Sequence, residues 1–225
     1  MECATERSKI QLIYDACNAV FSQKELPTYK QIQWLKNLLD ITEAIDVGID
    51  EFGSCESPLP SPKSDKRLID GQSVSEITYI HIHECDNFSM GVFCFPAGGT
   101  FPLHDHPGMT VISKLLYGSV YIKSYDWVKV TNSGGRTFLY PRSGGNIHSF
   151  TALTPCAILD VLSPPYSEEL ERRSTYFSDL PIPSLHGYAM LEEKDLPDDL
   201  TVIGEPYLGP PIVSQYDFLS GWTGM

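Results

Sequence analysis

Basic residues are scarce in this 225-residue chain. Sixteen lysines and arginines face 29 aspartates and glutamates, a formal net charge of −13 at pH 7. A surface that grips nucleic-acid phosphates needs clustered Lys and Arg, so direct nucleic-acid binding is not expected. No stretch approaches the roughly 20 apolar residues of a membrane span. The amino-terminal "MECATERSKIQ" has no apolar run behind its charges, so neither a membrane segment nor a signal peptide is expected. The six cysteines (Cys3, Cys17, Cys55, Cys85, Cys94, Cys156) contain no C-x-x-C and follow no regular spacing. On that pattern neither a disulfide scaffold nor a zinc finger is expected. The expectation is a reducing, intracellular setting with mostly buried free thiols. No internal repeat and no basic nuclear-import run is visible. What remains is a chain of ordinary globular composition, 42% hydrophobic, long enough for one large domain with a substantial core.

Its texture changes along the length. "ERSKIQLIYDACNAVF" places Ile10, Ile13, Ala16, Cys17 and Val20 at helical spacing. "LPTYKQIQWLKNLLD" offers Thr28 as N-cap, Gln31 as its capping-box partner, and an apolar stripe of Ile32, Leu35, Leu38 and Leu39. Residues 1–52 therefore read as a helical segment packed outside something larger. Ser, Pro and charge crowd residues 53–75, a flexible connection. Beyond it come short β-rich runs, "EITYIHIHE", "FSMGVFCF", "MTVISKLLYG", "SVYIKSYDWV", "TFLYP" and "CAILDVLS", separated by turn formers as in a sandwich or barrel. From Pro181 the chain is Pro-rich and irregular, apart from a possible strand at "LTVIG". The β-rich domain is assigned to 76–212 and a tail to 213–225.

The chemistry concentrates in "FPLHDHPGMT". In a strand, residues two apart share a face, so His104 and His106 project together while Asp105 points away. Five residues separate Gly98 from His104, and Gly118 follows the pair. This G-x5-H-x-H…G arrangement resembles the first signature of the cupins, double-sheet jelly-rolls. "SGGNIHSF" supplies the Gly-x-x-His of the second signature, with Gly145 and His148. Many cupins add a Glu after the H-x-H; here that position is Val111, and no acidic residue lies between Pro107 and Gly118. The expected ligand set is three neutral imidazoles, His104, His106 and His148, which leave about half an octahedral ion open. An open site is catalytic rather than structural by the logic that separates the two zinc classes. Three neutral ligands also leave the full charge of the ion to draw in a thiol and lower its pKa. With iron(II), sulfur and dioxygen would lie within reach of each other, and a sulfinic acid would result.

The blocks "IHIHECDNFSMGVFC", "PLHDHPGMTVISKLLYGSVYIKSYDW", "LYPRSGGNIHSFTALTPCAILDVLSPPYSEE" and "PYLGPPI" together resemble the plant cysteine oxidases, thiol dioxygenases related to animal cysteamine dioxygenase. The resemblance runs from about Tyr79 to Ile212. It implies a mainly β cupin fold, a double-stranded β-helix or jelly-roll barrel, with amino-terminal helices packed outside. It implies Fe(II) as cofactor and O2 as co-substrate. Its partners are the amino-terminal cysteines of protein substrates, such as group VII ethylene-response transcription factors. Their oxidation to cysteine sulfinic acid feeds the N-degron pathway and couples it to oxygen. A monomer in cytoplasm and nucleus is the matching expectation. The resemblance also carries a functional acid onto Asp160 and a nearby tyrosine onto Tyr166. From the residues themselves, Asp160 interrupts an apolar strand where an unpaired carboxylate is costly; a structural ion pair would satisfy it as well as a substrate would. Tyr166, after Pro164-Pro165, suits either a site role or the cap of a barrel end. Tyr176 is a further, weaker candidate.

Three departures from the family pattern are visible. Only "VKVTNSGGRTF" lies between "SYDW" and "LYP", where relatives carry a longer acidic excursion. Ser174 stands where relatives carry Cys, and "VSQYDFLSGWTGM" extends past the usual end. A second pair, His81 and His83, is expected on one strand face with Ile77 and Tyr79, in a structural or surface role. His186 is expected at the surface. Two other functions fit the three-histidine pattern: a zinc cupin hydrolase with Asp160 as proton acceptor, and a non-catalytic metal-binding cupin.

Overall fold

The fold follows from where the alternating strands bury their two faces. The structure is a computed structural model, and it describes residues 7–49, 76–127, 145–198 and 200–214. The expected connection at 53–75, the "TFLYP" run, the "VKVTNSGGRTF" stretch leading into it and the tail beyond Ser214 lie outside the described residues.

Two helices open the chain, α1 (Lys9–Phe21) and α2 (Tyr29–Asp40). Ser8 caps α1 by accepting from the Gln11 N–H, and Thr28 and Gln31 form the expected capping box on α2. Among the described residues ten strands follow: β1 (Glu76–Glu84), β2 (Ser89–Phe95), β3 (Thr100–His104), β4 (Thr110–Tyr117), β5 (Val120–Tyr125), β6 (Ile147–Ala152), β7 (Cys156–Ser163), β8 (Tyr176–Pro181), β9 (Ala189–Lys194) and β10 (Thr201–Glu205). They form two five-stranded sheets, β10-β1-β2-β7-β4 and β5-β6-β3-β8-β9. The architecture is the expected mainly β cupin.

Each sheet-one strand sorts its residues by parity. Ile80, Met90, Val92, Ile112, Leu159 and Val161 face outward and share one core with Ile10, Ile13, Cys17, Val20, Leu35 and Leu39 of the helices. The helices thus pack on the outside of the barrel, as expected. Phe95 and Ile158 face inward and meet Phe150 of the second sheet. Gly118 joins β4 to β5 at φ 84°, where a Cβ would sit 2.2 Å from the Pro155 carbonyl oxygen. Only glycine permits that turn.

Two expectations need correction. The segment after Pro181 is not irregular: β9 pairs antiparallel with β8, from Tyr176↔Lys194 to Pro181↔Ala189. Its acidic "AMLEEK" lies at a sheet edge with only one neighbour, so it does not carry the apolar alternation that marks a buried strand. His81 and His83 do not share a face either. The β1–β2 register slips between them, and the extra residue of that bulge turns His83 outward, onto Tyr14 and Phe88. Neither pairing could be read from a single strand's pattern. His186 is exposed, as expected.

Candidate metal centre

Pairing of β3 with β6 sets His104 directly opposite His148, and on its other side β3 pairs His104 with Tyr176 of β8. Directly paired residues point to the same face, so this row aims into the barrel. His106 lies just past the end of β3, in the turn, rather than in the strand as the spacing implied. Two clamps bring it back. Asn146 accepts from the His106 backbone N–H at 2.8 Å and donates to its carbonyl at 2.9 Å. Asp105 points away, as expected, and accepts from the Thr175 N–H at 2.8 Å. Asn146 was not singled out from sequence, although it sits inside the "SGGNIHSF" signature; its signal was its place two residues before His148.

The histidine rings are held by their outer nitrogens. His104 Nδ1 lies 2.8 Å from the Pro102 carbonyl oxygen and His148 Nδ1 lies 3.2 Å from that of Gly145. Each therefore carries its hydrogen on Nδ1. His106 Nδ1 lies 2.6 Å from the Tyr166 hydroxyl, which donates its own hydrogen to the Asp105 carbonyl at 2.7 Å. That leaves the oxygen of Tyr166 to accept from His106. All three Nε2 atoms are consequently bare lone pairs, and the three ligand atoms lie within 4.8 Å of one another. His106 Nε2 and His148 Nε2 are 3.0 Å apart with no hydrogen between them. Two such nitrogens repel unless a cation sits against both, and about 3.0 Å is the separation of two imidazoles bound at right angles roughly 2.1 Å from one ion. The residues fit a metal. Among the described residues no carboxylate joins this cluster.

Burial pushes the imidazoles toward the neutral form, His104 down to about 4 and His106 to about 3, with His148 shifted the same way. They are ready to bind metal at neutral pH without first shedding protons.

Opposite the metal cluster, across a cavity of about 400 Å³, stands the first sheet. Its row runs His81–Gly91–Asp160–Ser113 over β1, β2, β7 and β4. Asp160 is buried, its Oδ1 without a hydrogen-bond partner, and burial raises its carboxyl to about 7 although hydrogen bonding from Ser113 opposes the shift. It lines the cavity, and the structural ion pair allowed by the sequence is not made among the described residues. At Gly91 a Cβ would meet the Tyr79 ring and hydroxyl at 2.5 Å, so the missing side chain is what lets Tyr79 lie beside Asp160. Phe93, Phe101 and Phe150 supply apolar walls. The structure thus brings His104, His106, His148, Asp160, Tyr166 and Tyr176 to one cavity.

The PCO_ADO family model matches residues 38–137 and 129–212. The chain belongs to the PCO_ADO family. It is 39% identical to plant cysteine oxidase 1 of Arabidopsis thaliana over 90% of this chain and 80% of that one. Plant cysteine oxidase 2 of the same organism is 38% identical over 90% and 83%. The 2-aminoethanethiol dioxygenase of Homo sapiens is 30% identical over 79% and 80%. Among solved structures, an rmlc-like cupin protein from Desulfovibrio desulfuricans is 21% identical, covering 45% of this chain and 97% of that one with a TM-score of 0.29. Within the PCO_ADO family, the three-histidine cluster is the part of this chain suited to a metal cofactor.

Proposed function

We propose that this protein is an iron(II)-dependent thiol dioxygenase that uses O2 to convert the amino-terminal cysteine of protein substrates to cysteine sulfinic acid. One arrangement carries the reading: three neutral imidazoles with no carboxylate among them face, across an apolar cavity, a buried carboxylate with one unpartnered oxygen. His104, His106 and His148 would hold the iron, which when bound supplies the electron exchange that lets dioxygen react with a thiol. Tyr166 fixes the His106 ring through Nδ1. The phenylalanine walls exclude water, which strengthens every charge interaction inside. Asp160 faces the entering cysteine and, with its carboxyl near neutrality, takes up the proton that the substrate sheds.

The substrates proposed are Cys-initiated transcription factors of the group VII ethylene-response type, whose oxidation feeds the N-degron pathway and makes their survival depend on oxygen. A monomer acting in cytoplasm and nucleus suits such substrates. The deciding experiment is mass spectrometry of a Cys-initiated peptide incubated with iron-loaded protein under air and under nitrogen. An oxygen-dependent gain of two oxygen atoms is expected. Zinc-dependent hydrolysis without oxygen uptake, or metal binding without turnover, would replace this reading.

A further inference from the structure

Each turnover of the proposed reaction releases a proton: R–SH + O2 gives R–SO2⁻ + H⁺. A peptide seated in the cavity displaces water from its apolar walls, so the proton needs a way out other than the entrance. Asp160 is 8% exposed, and in its row across the sheet one neighbour is Gly91, with no side chain, and the other is Ser113. Ser113 lies on β4, the outermost strand of that sheet, and is exposed. It lines a second cavity of about 450 Å³ with Thr110, Ser124 and Asn146, which also touches His106 and His148. Asp160 belongs to the first cavity and Ser113 to the second. Ser113, the cross-strand neighbour of Asp160, is thus set between the buried carboxylate and the second cavity.

The geometry points to Ser113 as the positioning residue that unloads Asp160. The carboxylate takes the proton shed by the reacting cysteine and passes it to Ser113 Oγ, which releases its own hydrogen to water in the second cavity. Asp160 is left ionised and Ser113 unchanged for the next turnover. This rests on the thiol-dioxygenase reading. The Ser113 hydrogen bond opposes the burial that lifts the Asp160 carboxyl, so its loss favours the protonated acid. Tyr79 and Glu84 of β1, Tyr166 beyond β7, Tyr176 of β8 and the three histidines are the other titratable groups around the first cavity. Of these Glu84 is exposed and offers the rival exit, through the entrance.

The test compares Ser113→Ala and Ser113→Thr with the parent in two measurements. The first is the infrared carboxylic C=O band of Asp160 across pH in metal-free protein, assigned with Asp160→Asn. Ser113→Ala should move its midpoint up by about half to one pH unit, and Ser113→Thr should restore it. This readout does not depend on turnover, so it separates failure of the inference from failure of the dioxygenase reading. The second is steady-state turnover of iron-loaded protein. Ser113→Ala should lower kcat about tenfold, with KM for the peptide and iron content unchanged and a larger solvent isotope effect. An unmoved Asp160 midpoint, or an unchanged kcat, overturns the inference. So does a fall in kcat in Glu84→Gln that Ser113→Ala does not share.

Discussion

Tyr166 and Asp160 are held in different ways although both line one cavity. Tyr166 spends its hydroxyl on His106 Nδ1 and the Asp105 carbonyl, so in the proposed reaction its work is to aim a ligand. Tyr166→Phe should therefore weaken iron binding about 10- to 100-fold with folding intact, as iron competition with a chelator would measure. Asp160 has an oxygen with no partner, so Asp160→Asn should keep iron yet lose about 100-fold in turnover. Its linkage to stability has a definite sign. Burial raises the folded-state carboxyl to about 7, above its unfolded value near ~4. Its contribution is fully present below that unfolded value and is lost as pH rises through about 7. Metal-free Asp160→Asn escapes that loss, and at pH 8 it should be more stable than the parent by on the order of 2–4 kcal/mol. Urea unfolding at pH 5.5 and 8 checks this; a gap that fails to widen at the higher pH would count against it.

At the level of elements, the helices and the site occupy opposite faces of the first sheet. Ile13 of α1 is fully buried in the outer core, and its truncation to Ala should cost about 2–5 kcal/mol. Because Ile13 touches only the outer face, iron content per folded molecule should stay at one equivalent; co-loss of iron would show that the outer core supports the ligand row. The helices were legible because a 3.6-residue period and a capping box are local signals. β1 was legible to its ends, yet its bulge was not, since a register slip is a property of the β1–β2 pair. β9 escaped because an edge strand bearing Glu192 and Glu193 lacks the alternation that burial imposes on interior strands.

Two rows face each other across the whole molecule, one from each sheet: His148–His104–Tyr176 and His81–Gly91–Asp160–Ser113. The three-histidine cluster is built on one row and the buried Asp160 carboxylate belongs to the other, and closing the barrel brings them to a single cavity. The barrel also removes the ligand rings from water, which lowers the pH at which protons compete for Nε2. With His104 near 4 and His106 near 3, iron occupancy measured by equilibrium dialysis should stay flat from pH 8 to about pH 6. Release at the titration point of an ordinary surface histidine, about 6.5, would contradict that burial.

The sequence alone determined which three histidines cluster, the absence of a carboxylate between them, the cupin class and the outer helices. These rest on residue spacing, and spacing is a one-dimensional quantity. Tertiary structure decided what each residue faces. It took the pairing of β7 with β2 and β4 to give Asp160 a glycine on one side and an exposed serine on the other. It took the return of the chain after β7 to lay Tyr166 on His106. Such contacts join residues up to about 70 positions apart (Gly91 to Asp160 spans 69), and no local pattern records which distant strand will lie alongside.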